Sequence, residues 1–192
     1  RQSIWLSFLG NHYLLLTLTA LIWAGNAIVG RAAPGFVSPA VLTFGRWGIA
    51  AVITVFLFSG QLRRDWIHIR QNGWIPIFLG MIGYALFNFC LYMALLFIPA
   101  TNAAILQSGI PLLIFVLNFL LFRQAIRSIE IFGFSLSLLG VVIVVSQGAV
   151  FSLFSQAFGL GELFMLGAAI TYALYTIGLK FKPVMHWQTF LT

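Results

Sequence analysis

Six runs of about 20 mostly apolar residues constrain this chain more than any other feature, because each matches the roughly 30 Å hydrocarbon core of a bilayer. They read at about 13 to 32, 38 to 59, 74 to 97, 101 to 122, 129 to 147 and 159 to 180. A soluble domain of 192 residues has no interior able to hide 61% hydrophobic residues with 7% charged ones and a mean hydropathy of +1.05. In lipid every backbone polar group must be satisfied within its own segment, and the runs are about twice as long as barrel strands, so helices are expected throughout. The fold class expected is an all-α polytopic bundle of six transmembrane helices.

The net charge of +7 does not mark a nucleic-acid surface, because the basic residues sit at segment ends and form no basic face with interleaved aromatics. Arg1, Arg63, Arg64, Arg70, Arg123, Arg127, Lys180 and Lys182 fall on one side of the alternating segments and Arg31 alone on the other. The connections around Pro99 and Ser152 to Gln156 carry no Lys or Arg. The positive-inside rule then places the N-terminus and the even-numbered loops in the cytoplasm. Trp5, Trp66 and Trp74 near segment ends read as interfacial anchors.

Pro34, Gly35, Ser38 and Pro39 separate segments one and two, and residues 98 to 102 are so short a link that segments three and four must form an antiparallel hairpin, with Thr101 or Asn102 as the expected N-cap. Gly133, Ser137 and Gly140 make a small-residue stripe on segment five, suited to close helix approach, within the protomer in preference to across a dimer. Cys90 is the single cysteine and reads as a small packing residue; His12, His68 and His186 share no ligand spacing, so no metal site or cofactor is expected. The chain's start lacks a clustered basic stretch and a small-x-small cleavage site, so segment one is expected to persist in the mature protein.

Residues 14 to 31 can be laid on residues 163 to 180 at an offset of 149, pairing Ala20 with Ala169, Trp23 with Tyr172, Ala24 with Ala173, Ile28 with Ile177 and Arg31 with Lys180. An odd number of segments separates the copies, which inverts the second in the membrane, the plan of many secondary transporters. The domains expected are a cytoplasmic segment over 1–12, a five-helix repeat over 13–149, and the start of a second, inverted repeat over 150–192, with residues 185 to 192 opening a seventh segment. Either the chain is part of a ten-helix protein whose C-terminal half is missing here, or it is a half-transporter that dimerises.

Ala20-Leu-Ile-Trp-Ala-Gly-Asn26, Phe44-Gly-Arg46, the Tyr84 to Asn118 hairpin with Asn102 to Pro111, Gly133 to Gly140 and Gly161-Glu162-Leu163 together resemble the EamA-type members of the drug/metabolite transporter superfamily. The resemblance covers nearly the whole chain and rests on the order and spacing of short motifs. It implies ten helices in two inverted five-helix repeats around a central cavity, and a function among exporters of amino acids and metabolites. One departure is visible after segment four, where such proteins often carry Gly-Glu and this chain reads Phe122-Arg123-Gln124.

Polar groups inside a membrane are costly enough to mark candidate pathways. Arg46 can hold a carboxylate with its two-pronged guanidinium, or can snorkel to the interface and bond helix-end carbonyls. Tyr84, Asn88 and Tyr92 are spaced to share a helix face, as a cavity wall or as interhelical hydrogen-bonding groups; Trp23 with Asn26, and Tyr172 with Tyr175, extend the pattern to segments one and six. Gln107 and Ser108 precede Pro111, whose missing donor permits a kink.

Asp65 and Glu130 fall in loops and Glu162 at the start of segment six, so no carboxylate sits mid-membrane and neutral or zwitterionic solutes are favoured over permanent cations as proton-exchanged cargo. No nucleophile–base pair or HExxH motif points to an intramembrane enzyme. The function expected is export of small metabolites, with a bias to aromatic or apolar amino acids, by alternating access in a bacterial inner membrane; the alternatives are export of another metabolite or drug class, or a non-transporting scaffold or lipid-handling subunit. The partners expected are the small-molecule substrate, the lipid bilayer, and the missing half or a second copy.

Overall fold

The computed structural model describes residues 12–33, 35–123, 127–145, 159–183 and 185–192, and among them every regular element is a helix. In chain order these are α1 (His12–Ala32), α2 (Pro39–Arg64), α3 (Trp66–Asn72), α4 (Trp74–Gly80), a π-helical turn (Met81–Leu86), α5 (Phe87–Phe97), α6 (Ala100–Gln107), α7 (Ile110–Phe122), α8 (Ser128–Val145), α9 (Leu160–Gly178), a 3-10 turn (Leu179–Phe181) and α10 (Trp187–Leu191). Trp5, Pro34, Gln124 and the 152 to 156 loop lie outside the described residues.

Five stretches among the described residues are long and apolar enough to cross a membrane: His12–Ala32, Pro39–Arg64, Trp74–Phe97, Ala100–Phe122 and Leu160–Phe181. The apolar stretch Ser128–Gly140 of α8 is shorter, so among the described residues five of the six expected spans reach membrane length. Near-neighbour segments are antiparallel because their links are short, and the sixth segment returns to the third, with α9 packed along α5 and the π turn. Their meeting line forms the core, where Leu91, Tyr92, Ala94, Leu95, Met165 and Ala168 are at most 2% exposed.

Local chemistry explains the boundaries. Ser38 caps α2, its hydroxyl accepting from Val41 N at 3.3 Å, and Pro39 opens the first turn, where a missing N–H costs nothing. Glu162 caps α9 through the Gly159 N–H at 3.1 Å, in keeping with its place at a helix N-terminus. The expected cap on segment four is corrected: α6 begins at Ala100 with extended Pro99 as N-cap, and Ala103 N bonds the Pro99 carbonyl at 3.1 Å, so Thr101 and Asn102 lie within the first turn.

Close helix approach also comes from glycines other than those expected. A Cβ at Gly30 would lie 2.7 Å from the Tyr92 ring, one at Gly161 would lie 2.6 Å from Ile98, and one at Gly83 would enter the Tyr175 ring. Nothing lies within 4 Å of a Cβ added at Gly133 or Gly140, so these two glycines face open space among the described residues; the Ser137 side chain is outside the description.

A candidate solute site of one guanidinium and six rings

Three elements bring the polar groups of segments one to three to one point. Arg46 Nη1 of α2 donates to Asn26 Oδ1 of α1 and to the Tyr92 hydroxyl of α5, and that hydroxyl donates to the same Asn26 oxygen at 2.7 Å. The Arg46 guanidinium carbon also lies 5.8 Å from the centre of the Tyr92 ring, within cation–π range. Tyr92 is only 2% exposed and reaches α1 because Gly30 leaves room for its ring. Both partners of Arg46 are neutral, so they orient its charge without cancelling it, and the side chain remains exposed on the surface of this chain. It therefore bonds neither a helix end nor the outer loop.

Six rings continue from this cluster. Trp23 sits one turn before Asn26 and meets Tyr172 edge-to-face at 6.4 Å; Tyr172 stands 5.1 Å from Phe87 and 5.9 Å from Tyr175. Tyr175 in turn lies 5.4 Å from Tyr84, and the two hydroxyls share a hydrogen bond of 2.9 Å; Trp47, next to Arg46, closes on Tyr84 at 4.7 Å. The helical spacing of Tyr84, Asn88 and Tyr92 is thus split by use: one phenol goes to segment six, the other to segments one and two. Asn88 is 5% exposed, and its amide donates to the Tyr84 carbonyl at 2.8 Å, bracing the wide turn in which Phe87 N bonds the Ile82 carbonyl five residues back.

Trp47 and Phe87 were not singled out from the sequence. Phe87 is one of twenty phenylalanines, while Trp47 carried a usable signal, a tryptophan inside a segment beside the intramembrane arginine. Gln107, Ser108 and Pro111 belong elsewhere: the Ser108 hydroxyl donates to its own Ile105 carbonyl at 2.6 Å, and segment four breaks fully at Ser108 and Gly109, with Pro111 in the first turn of α7. Among the described residues, no hydrogen bond or ring contact joins these three to the cluster.

The two basic residues paired by the 149-residue offset both pin helix ends. Arg31 Nη1 donates to the Leu95 carbonyl at 2.5 Å and to that of Leu96 at 3.3 Å, and Lys180 Nζ donates to Asn118 Oδ1 at 2.7 Å over the Phe122 ring. The offset pair Trp23 and Tyr172 meets face to edge as well.

The model of the EamA-like transporter family matches residues 11–146. The chain belongs to this family. Together with its membrane-length helices, this membership makes it an integral membrane protein. An uncharacterized transporter of Archaeoglobus fulgidus is 30% identical over 171 residues, covering 86% of this chain and 56% of that protein. YyaM of Bacillus subtilis is 23% identical over 169 residues, covering 87% and 55%, and YetK of the same organism is 25% identical over 169 residues, covering 88% and 51%; both bear the description uncharacterized transporter. The chain spans about half the length of the curated relatives it matches. No solved structure gives a significant match.

Proposed function

We propose that this chain belongs to a secondary-type transporter that exports small metabolites, with amino acids of aromatic or apolar side chain as the substrate class, by alternating access around a central cavity. The observation that carries the reading is an oriented guanidinium with neutral partners beside a group of six rings, all within membrane-length segments. A carboxylate can take the outward donors of Arg46, and a ring or branched apolar side chain can lie against Trp23, Trp47 and Tyr172. The desolvation cost of an arginine in a membrane span, about 2.5 to 3.5 kcal/mol on insertion scales, argues that the open side of Arg46 faces water, substrate or further protein, not lipid.

In this reading residues 13–149 are one repeat, residues 150–192 begin its inverted copy, and the N-terminus is cytoplasmic in a bacterial inner membrane. The contact between the offset-paired Trp23 and Tyr172 supports the repeat, since equivalent positions meet only close to a two-fold axis. Further helices, from the rest of the same protein or from a second copy, close the exposed side of the cluster. Counterflow in proteoliposomes of the full-length protein, preloaded with unlabelled amino acids, tests the substrate class: selective uptake of aromatic or large apolar tracers over an empty-liposome control is expected. Uptake of none of them by folded protein, or uptake confined to cationic drugs, would refute it.

A further inference from the structure

A cavity of about 330 Å³ opens at the end of the bundle that carries Arg63, Arg64 and Arg70. Its walls are Leu62 of α2, Ile77 and Gly80 of α4, and Met185, Phe190 and Leu191 of the C-terminal stretch, and its inner end is formed by Tyr84 and Tyr175. Those two phenols also belong to the six-ring group, so the same pair of side chains bounds the cavity on one side and the Arg46 site on the other. We propose that this cavity is the vestibule through which solute reaches Arg46, and that the Tyr84–Tyr175 hydrogen bond is the gate between them. The proposal rests on the transporter reading above.

Three observations point to a gate. The 2.9 Å bond joins two hydroxyls 91 residues apart, on the third and sixth segments, so it can break and re-form by side-chain rotation without unwinding either helix. Tyr84 sits in the π turn, the part of its segment with the least regular backbone, and Tyr175 lies on Gly83 where any side chain would collide with its ring. Among the described residues the vestibule's walls carry no charged side chain, and Tyr84, Tyr175, Thr189 and Thr192 offer its side-chain polar groups. Such a lining suits small, net-neutral amphipathic molecules, zwitterions with an apolar body among them, and gives a bare ion no partner.

The gate is tested by thiol labelling of the full-length protein in oriented vesicles, with Cys90→Ala as background and a charged, membrane-impermeant methanethiosulfonate added on the Arg63 side. Gly80→Cys reports the vestibule, since a Cβ there meets only Tyr84 at an ordinary 3.9 Å, and Val29→Cys, one turn past Asn26, reports the far side. Gly80→Cys is expected to react readily, and Val29→Cys at least tenfold more slowly. Adding Tyr175→Phe, which keeps the ring and removes the bond, raises the Val29→Cys rate severalfold and leaves that of Gly80→Cys unchanged; Tyr84→Phe does the same from the other side. A Gly80→Cys thiol that fails to react from this side, or a Val29→Cys rate indifferent to both phenylalanine variants in folded protein, overturns the gate. Labelling needs no transport, so this pattern with no counterflow of any solute would refute the transporter reading and leave the gate standing.

Discussion

Arg46 shows what a single side chain must satisfy to sit in a membrane span. Asn26 and Tyr92 fix the guanidinium's direction, and Tyr92 is itself fixed by its hydrogen bond to Asn26 and by the space above Gly30. Lysine keeps the charge but not the planar fork, so Arg46→Lys is expected to insert normally and to lower uptake of a carboxylate-bearing tracer by about tenfold or more in counterflow. Tyr92→Phe leaves the ring packed and removes one neutral hydrogen-bonding group, a loss of about 1 kcal/mol or roughly a fivefold weaker tracer affinity by equilibrium binding. Gly30→Ala drives a methyl group into the Tyr92 ring; overpacking of this kind costs about 1 to 3 kcal/mol, read as a lower unfolding temperature in detergent together with reduced uptake.

Elements in this chain end and bend where side chains offer the backbone an alternative. The C-terminal residue after α7, Arg123, adopts φ 50° and ψ 32°, a left-handed conformation that glycine enters without penalty. Arg123→Gly is accordingly expected to be neutral or to stabilise by about 1 kcal/mol, measured by thermal unfolding in detergent. Farther along, α10 docks on the end of α2: Thr189 donates to Asp65 Oδ2 at 2.6 Å, and Trp187 meets Phe58 at 5.8 Å, where α2 bends just before Ser59 and Gly60. The Thr189 hydroxyl is the main cause that holds the Asp65 carboxyl below its ordinary value of 3.8, with Gln61 adding to it. A lowered carboxyl pKa strengthens this contact above the ordinary value and weakens it as the pH falls through the still lower folded one. Spin labels on α2 and α10 should therefore keep one narrow separation from pH 8 to about 5 and broaden only below about pH 4.

At the scale of the whole molecule, segment positions were legible because a bilayer imposes one length on every span: the third segment, 74 to 97, and the first, second, fourth and sixth within a few residues, follow from hydropathy, while the fifth does not reach membrane length among the described residues. The pattern of period 3.6 also found Trp23, Asn26, Tyr84, Tyr92, Tyr172 and Tyr175 as residues of interest. It could not find the π turn, because one extra residue in a turn leaves no mark on composition, and so it offered Asn88 a cavity wall or an interhelical hydrogen bond, whereas the amide donates to the Tyr84 carbonyl of its own segment. Nor could it separate glycines that touch from glycines that do not: Gly30 and Gly83 lie under rings of other segments, whereas the more regular stripe of Gly133 and Gly140 does not, and only tertiary packing decides this. Phe87 was hidden among twenty phenylalanines, whereas Trp47, beside Arg46, was legible and was passed over. What the assembled molecule offers is a charge and a group of rings between four segments, and the most direct measurement is competition in counterflow between labelled phenylalanine and either unlabelled phenylalanine or its methyl ester. The account predicts that phenylalanine competes and that the ester, which has the ring and no carboxylate, competes at least tenfold more weakly; equal competition by the two, or no carrier-mediated exchange of phenylalanine at all, would contradict it.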